Sequence, residues 1–196
     1  MRVNIIGKGT GWWSAPEEGE VWGLNDLCLK KEYMTLTFEL HDVDKLLDTN
    51  RREMRFIRAF HMQVKIINEK KIPVVLQKPH KAFPHGIVFP LDKMPYRYFT
   101  NSVAYMIAYA IYKKATEIHI YGIPLYFEEE FTFERPCTEF WLGYAMAKGI
   151  KVEVHKPTYL LTAAPNFGLY AYDWDYWGGD HMQKADFLRK GEKRGR

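Results

Sequence analysis

A histidine and two carboxylates close one of the predicted strands, Thr35–Leu40, in the run Glu39-Leu40-His41-Asp42. Side chains alternate along a strand, so Glu39 and His41 share one face and Asp42 lies on the other. An imidazole beside a carboxylate is the combination that general bases and metal sites use. We therefore predict that His41 is a catalytic base; the alternative is a structural histidine at a strand end.

Three glycines, Gly7, Gly9 and Gly11, directly follow the first predicted strand, Arg2–Ile6. Because glycine has no Cβ, such a loop lets the backbone come close to a phosphate or a sugar. The spacing is not a dinucleotide fingerprint, since the next strand begins at Val21 and leaves little room for a crossover helix, and it is not a P-loop. The loop is predicted to bind a nucleotide, with a tight turn as the alternative.

An amide and a carboxylate, Asn25 and Asp26, follow the second predicted strand, Val21–Leu24. The carboxyl ends of parallel strands meet at one edge, so this pair is predicted to lie beside the glycine loop. An amide there reads a base or a ribose, and a carboxylate binds a hydroxyl or a metal. A metal-assisted variant uses Asp26 or Asp42 with Mg²⁺, which favours few carboxylates plus substrate phosphates. The alternative is a turn or a helix cap.

The segment Arg97–Leu125 predicts a polar loop, a buried helix, a strand and a second turn, in that order. Small polar residues where a loop becomes a helix cap free N–H groups or present them to an anion. A helix start beside the carboxyl end of a strand is where open α/β sheets bind ligands. The alternative is a well-capped core helix. The candidates are Thr100, Asn101 and Ser102 at the helix start, Gly122 at the strand end, and Tyr121 and Tyr126 nearby.

A basic residue, Arg135, stands at the start of the predicted helix Pro136–Lys148, just after an acidic stretch that includes Glu130. An arginine in this place is suited to hold a phosphate or a carboxylate. Glu139, one turn further, is predicted to orient Arg135 or to act as a general base. The alternative for the pair is an intrahelical ion pair worth ~0.2–0.5 kcal/mol, and for the acidic stretch a solvated surface.

The remaining segments predict how these loops are positioned. Strand-like and helix-like segments alternate, which indicates a mainly parallel sheet with helices on both faces, a three-layer Rossmann-like α/β fold. Helical spacing runs through Asp44–Glu69. Further strands are predicted at Ile72–Gln77, Ile87–Phe89, Glu117–Gly122 and Lys151–Val154.

The length of 196 residues predicts one domain, or one domain with an appendage. From Pro165 onward the sequence becomes dense in aromatic residues and glycine and loses its periodicity, which predicts a nucleotide-binding domain over 1–164 and an irregular extension over 165–196. Charges interrupt every apolar run before it reaches membrane-spanning length, and the N-terminus lacks a signal-peptide pattern. The two cysteines, Cys28 and Cys137, have no close-spaced motif, which argues against a disulfide scaffold and a cysteine zinc site. The expected location is the cytoplasm, with no membrane partner.

The net charge of +4 comes from 28 basic and 24 acidic residues, and the excess lies in the C-terminal tail Arg189–Arg196. A basic tail binds phosphates, and the aromatic Trp174, Tyr176 and Trp177 upstream of it are suited to stack on bases. A nucleic-acid partner is therefore one hypothesis. The alternatives are a solvated end for the tail and, for the aromatic residues, an interface with a second copy of the chain.

The order of these motifs resembles a known superfamily. The glycine loop, VWGLND, RYFTNSVAYMIAYAI, EIHIYGIPLY and GIKVEVHKPTYLL follow one another as in the Rossmann-like superfamily of bacterial family 42 sialyltransferases. They also resemble the archaeal 6-hydroxymethylpterin pyrophosphokinase-like (DUF115) proteins. FELHD, RYFTNSVAYM and FERPCTEFWLGYAMAKGIKV look closest to small proteins encoded by tailed phages and prophages. The resemblance covers about Met1 to Thr162, and a phage origin implies the host cytoplasm.

In the sialyltransferases the glycine loop and the following asparagine contact the cytidine nucleotide, the polar loop before the long helix lines the donor pocket, and tyrosines bind the phosphate. Carried over, the resemblance implies contacts at Gly7, Gly9, Gly11, Asn25, Asn101, Ser102, Tyr121 and Tyr126. The family's catalytic histidine falls between the tyrosine region and the last strand, but this chain has no histidine from Ile120 to Val154. The base is then His41, Glu130 or Glu139, or the reaction differs.

Together these features predict a group transferase, glycosyl- or diphosphotransferase-like, that binds a nucleotide or nucleotide-linked donor in a cleft between Gly9, Asn25 and Ser102. Backbone donors at the glycine loop and at Asn101–Ser102, with Arg135, would stabilise the leaving phosphate. Two alternatives remain open: a non-catalytic phage protein that sequesters a nucleotide, and a nucleic-acid-associated phage protein.

Overall fold

A computed structural model describes residues 1–48, 53–125 and 130–161. The chain divides into two units, of which Met1–Leu160 is the first. The predictions on the extension from residue 165 onward, on its basic tail and aromatic residues, and on the domain boundary fall outside the described residues.

Seven strands form one sheet in the order β5-β4-β3-β2-β1-β6-β7. Every neighbouring pair is parallel. The sheet confirms the predicted α/β architecture. The strands are β1 (Arg2–Ile6), β2 (Glu20–Leu24), β3 (Leu36–Glu39), β4 (Val74–Leu76), β5 (Gly86–Val88), β6 (Glu117–Tyr121) and β7 (Lys151–Val154).

The direction in which the chain adds strands reverses at β1. The chain moves outward from β1 to β5 and then returns to place β6 on the other side of β1. Open α/β sheets bind ligands beyond the carboxyl ends of their strands, near such a switch point. The loops after β1, β2, β3 and β6 are therefore the places where a site is expected.

Apolar clusters cover both faces of the sheet, as a parallel sheet requires. Along β1, Val3 and Ile5 pack into one cluster and Ile6 into the other. The first cluster contains side chains of α3 (Ser102–Tyr112) and α4 (Arg135–Ala147). The second contains side chains of α1 (Val43–Leu47) and α2 (Met54–Glu69). Within the described ranges, no helix combines the length and the apolar character that a bilayer crossing needs.

The single helix predicted over Asp44–Glu69 is in fact two helices. The first ends at Leu47, because Asp48 has an extended backbone with φ −74° and ψ 105°, and the second begins at Met54. Leu47 and Met54 are seven positions apart, close to two helical turns, so the apolar period continues across the interruption. Periodicity alone could not reveal where the first helix ends.

Both cysteines are free and buried, in agreement with the prediction against a disulfide scaffold. Burial, helped by the nearby Asp26 carboxylate, raises the pKa of the Cys28 thiol to about 11. The thiol is therefore protonated at neutral pH and does not act as a nucleophile.

Candidate functional site

A cavity of about 300 Å³ lies where β1, β2 and β3 end. Parallel strands end at a common edge, so loops far apart in the sequence meet there. Most polar side chains come from the strand ends and the loops after them, whereas α1 and α2 supply the apolar side chains and Gln63. The lining residues are Lys8, Asn25, Asp26, Glu39, His41, Leu46, Phe56, Ala59, Phe60 and Gln63.

The strongest feature of the cavity is a histidine held by a buried carboxylate. Glu39, at the end of β3, is 1 % exposed. Its Oε1 atom lies 2.6 Å from Nδ1 of His41 and accepts a hydrogen bond from the His41 backbone N–H at 3.2 Å. A carboxylate at Nδ1 favours the tautomer with the proton on Nδ1 and the lone pair on Nε2. This is the arrangement that orients a general base.

Gln63, on the buried face of α2, completes the hydrogen bonding of Glu39. Its Nε2 donates to Oε2 of Glu39 at 2.9 Å. Both carboxylate oxygens are thus satisfied, as a buried charge requires. The side chain of His41 is 52 % exposed, so the pair presents one accessible imidazole on a fixed carboxylate.

Asn25 begins the short 3₁₀ turn after β2, with a left-handed backbone of φ 50°. Asparagine is one of the few residues that adopt this conformation at low cost. The side-chain oxygen Oδ1 is buried and has no hydrogen-bond partner in the structure described. Such an orphaned acceptor costs ~1–3 kcal/mol, a cost that a donor group from a ligand or a water would offset.

A lysine and an aspartate place opposite charges at the cavity. Nζ of Lys8 lies 2.7 Å from Oδ1 of Asp26, and the two side chains are 41 % and 37 % exposed. An exposed ion pair of this kind contributes at most about 1 kcal/mol. The ammonium of Lys8 can therefore exchange Asp26 for an anionic ligand group at small cost.

The glycine loop packs against the loop after β6. Gly7 and Gly9 donate their backbone N–H groups to the carbonyl oxygens of Tyr121 and Gly122, at 2.8 and 2.9 Å. A Cβ on Gly7 would overlap the Gly122 carbonyl oxygen, and one on Gly9 would overlap Pro124. These two glycines thus permit close contact between the two loops, and their N–H groups are engaged within the protein.

Gly11 and Gly122 occupy backbone conformations that favour glycine. Their φ angles are +92° and +62°, and a Cβ on Gly122 would meet Trp12. Tyr121 is buried and stacks on His155 with ring centroids 4.0 Å apart, on the β6–β7 side of the sheet. Tyr126 lies outside the described residues.

The polar residues before α3 bind the start of α4. Asn101 caps α3, since its Oδ1 accepts from the Ala104 N–H at 2.8 Å. Its Nδ2 donates to the Glu134 carbonyl oxygen at 3.1 Å and to Oγ1 of Thr138 at 2.9 Å. Thr100 donates in the same way, to the Phe133 carbonyl oxygen at 2.9 Å. Ser102 is the first residue of α3, and neither it nor its two neighbours line the cavity.

Replacing Asn101 with alanine is therefore expected to destabilise the fold. Loss of an N-cap costs about 1–2 kcal/mol, and the variant also loses both bonds to α4. Urea unfolding measures the change, with Ser102→Ala as the matched control that stays within about 0.5 kcal/mol of the parent protein. Equal stability of the Asn101 variant and the parent would contradict the capping role.

Arg135 and Glu139 form the predicted pair on the first turn of α4. Nε of Arg135 lies 2.8 Å from Oε1 of Glu139, and both side chains are half-buried. Glu130 begins a π-helical turn, Glu130–Glu134, that leads into α4. None of the three lines the cavity at the ends of β1–β3.

The structure thus brings together Asn25, Asp26 and His41, but Gly9 and Ser102 do not line the same cavity. Sequence reasoning missed Lys8 and Gln63 as site residues. Gln63 carried a usable signal, since it is a polar residue within the apolar stripe of α2. Lys8 lies between Gly7 and Gly9, and its residue type alone does not distinguish a site lysine from a surface lysine.

Solved structures of a sialyltransferase share this fold. The sialyltransferase CstII from Campylobacter jejuni in complex with a substrate analogue, CMP-3FNeuAc, aligns with a TM-score of 0.50 and 16% identity over 78% of this chain and 79% of that chain. The same enzyme with cytidine-5'-monophosphate gives a TM-score of 0.48 and 17% identity over 80% of each chain. No protein-family model matches the chain, and no curated protein matches it. The likeness confirms the fold-level part of the predicted resemblance.

Proposed function

We propose that the chain is a glycosyltransferase-like group transferase that takes a nucleotide sugar as its donor in the cavity at the ends of β1–β3. One observation carries the proposal: the His41–Glu39 pair and Asn25, whose buried Oδ1 has no hydrogen-bond partner among the described residues, line one cavity. An oriented base and an unsatisfied polar group in a single concave site are what a bound, reacting ligand requires.

His41 is the proposed general base. The acceptor hydroxyl attacks the anomeric carbon, and its proton passes to Nε2 of His41. The new bond between carbon and the acceptor oxygen forms while the bond between carbon and the phosphate oxygen breaks, and the nucleotide leaves with that electron pair. Glu39 holds the ring and stabilises the imidazolium through Nδ1, as the buried partner of a catalytic histidine does.

Three lining residues are suited to the nucleotide. Oδ1 of Asn25 accepts a hydrogen bond from an amino group or a ribose hydroxyl. Phe56 lines the cavity and is 48 % exposed, so its ring can stack on a base. Lys8 places an ammonium where it can neutralise the charge that grows on the leaving phosphate.

The donor class is supported by the fold. The CstII structure that aligns at a TM-score of 0.50 contains CMP-3FNeuAc, a nucleotide sugar analogue. We transfer to this chain only the class, a nucleotide-linked sugar. The cytoplasmic location and the kinship with DUF115 and phage proteins stay predictions.

Magnesium also stays a prediction. Of the two carboxylates proposed to hold it, Asp26 is paired with Lys8, and Asp42 caps α1 by accepting from the Asp44 N–H at 3.1 Å. The proposed step needs no metal, because Lys8 supplies the positive charge.

Calorimetric titration of CMP-, UDP-, GDP- and ADP-sugars, with and without Mg²⁺, tests the proposal. We expect one class of nucleotide sugar to bind. Asn25→Gly is expected to weaken that binding by ~1–3 kcal/mol, because glycine keeps the left-handed backbone and removes the hydrogen-bond acceptor. Lys71→Gly is the matched control. It removes an exposed side chain at φ 52°, beyond α2, and is expected to change nothing.

The absence of binding by every nucleotide sugar under both conditions would overturn the proposal. Binding without any release of nucleotide, in the presence of varied sugar acceptors, would favour the sequestering alternative instead. If Asn25→Gly leaves the binding unchanged, the nucleotide binds outside this cavity.

A further inference from the structure

A second polar cluster lies on β6 and β7, the two strands at the end of the strand order opposite β5. Alternate residues of β6, Ile118 and Ile120, are fully buried against the α3–α4 side. The intervening residues, Glu117 and His119, point to the other face. The register places Glu153 of β7 beside His119, and the strand leads directly into His155. Apolar packing does not account for these polar side chains in a parallel sheet.

The donor atoms of these three side chains lie close together, with one ligand atom from each residue within 4.8 Å of the others, and the two carboxylate oxygens of Glu153 face different histidines. Nδ1 of His119 lies 3.3 Å from Nε2 of His155 and 3.7 Å from Oε2 of Glu153. Nε2 of His155 lies 3.5 Å from Oε1 of Glu153. A tetrahedral zinc ion with bonds of about 2.0–2.2 Å needs its ligand atoms about 3.3–3.6 Å apart. Among the residues described, no other group of three such side chains gathers its donor atoms this closely.

The next layer of contacts also fits a metal site. Oε2 of Glu117 lies 3.2 Å from Nε2 of His119, which is buried, so the carboxylate orients the ring with Nδ1 toward His155 and Glu153. Metal-binding histidines commonly have such a carboxylate on the second nitrogen. The hydrogen bond with His119 holds the pKa of Glu117 below its ordinary value. Burial lowers the pKa of His155 from its ordinary value.

We propose that His119, Glu153 and His155 form a binding site for a divalent transition metal of the zinc type, with the fourth position open to water or a ligand. Two imidazoles and one carboxylate are a donor set that zinc accepts. The site shares no residue with the cavity at the ends of β1–β3 and is independent of the transferase proposal.

Two cations lie next to the proposed site. Nη2 of Arg2 is 3.4 Å from Nδ1 of His119, and Nζ of Lys151 is 4.0 Å from Oε2 of Glu153. Both side chains are exposed, so each can swing away when the ion binds. Their charge lowers the affinity for a cation, and Arg2 must leave Nδ1 before zinc can bind there.

Isothermal titration of tag-free, metal-stripped full-length chain with Zn²⁺ tests the site. One equivalent is expected to bind. His155→Gln and Glu153→Gln are each expected to weaken binding by at least tenfold, and Glu117→Gln by about 10–100-fold through loss of the orienting carboxylate. His61→Gln, an exposed histidine of α2, is the control and keeps the parent affinity.

Two further measurements separate this site from binding elsewhere on the chain. Zn²⁺ is expected to raise the melting temperature of the parent protein but not of His155→Gln. Co²⁺ is expected to give the intense visible absorption of a tetrahedral site in the parent only. Undiminished Zn²⁺ binding by both His155→Gln and Glu153→Gln, or no Zn²⁺ binding by the parent, would overturn the proposal and leave a hydrogen-bonded histidine pair.

Discussion

Replacing His41 with glutamine is expected to reduce transfer by about 10²–10⁴-fold, the range that a general base contributes. Glutamine retains a polar group near Glu39 but has no nitrogen that can accept the acceptor's proton. The nucleotide affinity is expected to stay at the parent value, because His41 acts on the acceptor hydroxyl and the proposed nucleotide contacts are Asn25, Phe56 and Lys8. A loss confined to kcat identifies an interaction made in the transition state.

The measurement is the release of free nucleotide from whichever nucleotide sugar binds, at saturating donor, with calorimetry on the same samples. His85→Gln, at another exposed histidine, is the control and is expected to keep the parent rate. Turnover that survives in His41→Gln would assign the base to a group other than His41.

The second large effect is on stability, from Gly7→Ala. The added Cβ would overlap the carbonyl oxygen of Gly122 and lie 2.6 Å from Cγ1 of Ile123. The loop cannot shift easily, because the Gly7 N–H is bonded to the Tyr121 carbonyl oxygen at 2.8 Å. Overpacking of this kind costs about 1–3 kcal/mol, and contact with backbone places this variant at the upper end.

Urea unfolding at 25 °C measures the change, with Gly143→Ala as the control. A Cβ on Gly143 meets nothing within 4 Å, and alanine inside α4 is expected to stabilise by about 0.5–1 kcal/mol. The experiment separates the two roles of the glycine loop. Packing predicts lower stability, whereas a loop that serves only a phosphate predicts weaker nucleotide binding with stability unchanged.

The fold was accessible from the sequence because its signals are local and strong. β1 and β7 were predicted at the residues where they occur, and the predicted start of α4 differs by one residue from the observed Arg135. Buried parallel strands and a capped core helix follow from apolar runs, glycines and prolines that act over a few residues. The boundary between α1 and α2 was missed because Leu47 and Met54 remain in phase.

The site was only partly accessible, because convergence of loops is a property of the whole fold. The order of strands brings Asn25 and His41 to one cavity, whereas the edge argument had placed Asn25 beside Gly9, which does not line that cavity. The same argument placed Ser102 there. Ser102 begins α3, however, and α3 and α2 pack on opposite faces of the sheet. Residue type alone could not tell that the donors of Asn101 are used by α4, or that those of Gly7 are used by the loop after β6.

The sequence alone also does not predict the proposed metal site of His119, Glu153 and His155. His119 and His155 lie 36 positions apart and have no motif spacing. They meet only because β6 and β7 are neighbours in register. Histidines on adjacent parallel strands leave no periodic signature, so sheet topology is needed to find them.

The most direct test of the central claim is a crystal structure of the chain with the nucleotide sugar that binds best. We predict a nucleotide in the cavity at the ends of β1–β3, with a polar group within hydrogen-bond distance of Oδ1 of Asn25 and the sugar facing His41. A nucleotide seated elsewhere, such as at the starts of α3 and α4 with this cavity empty, would contradict the assignment.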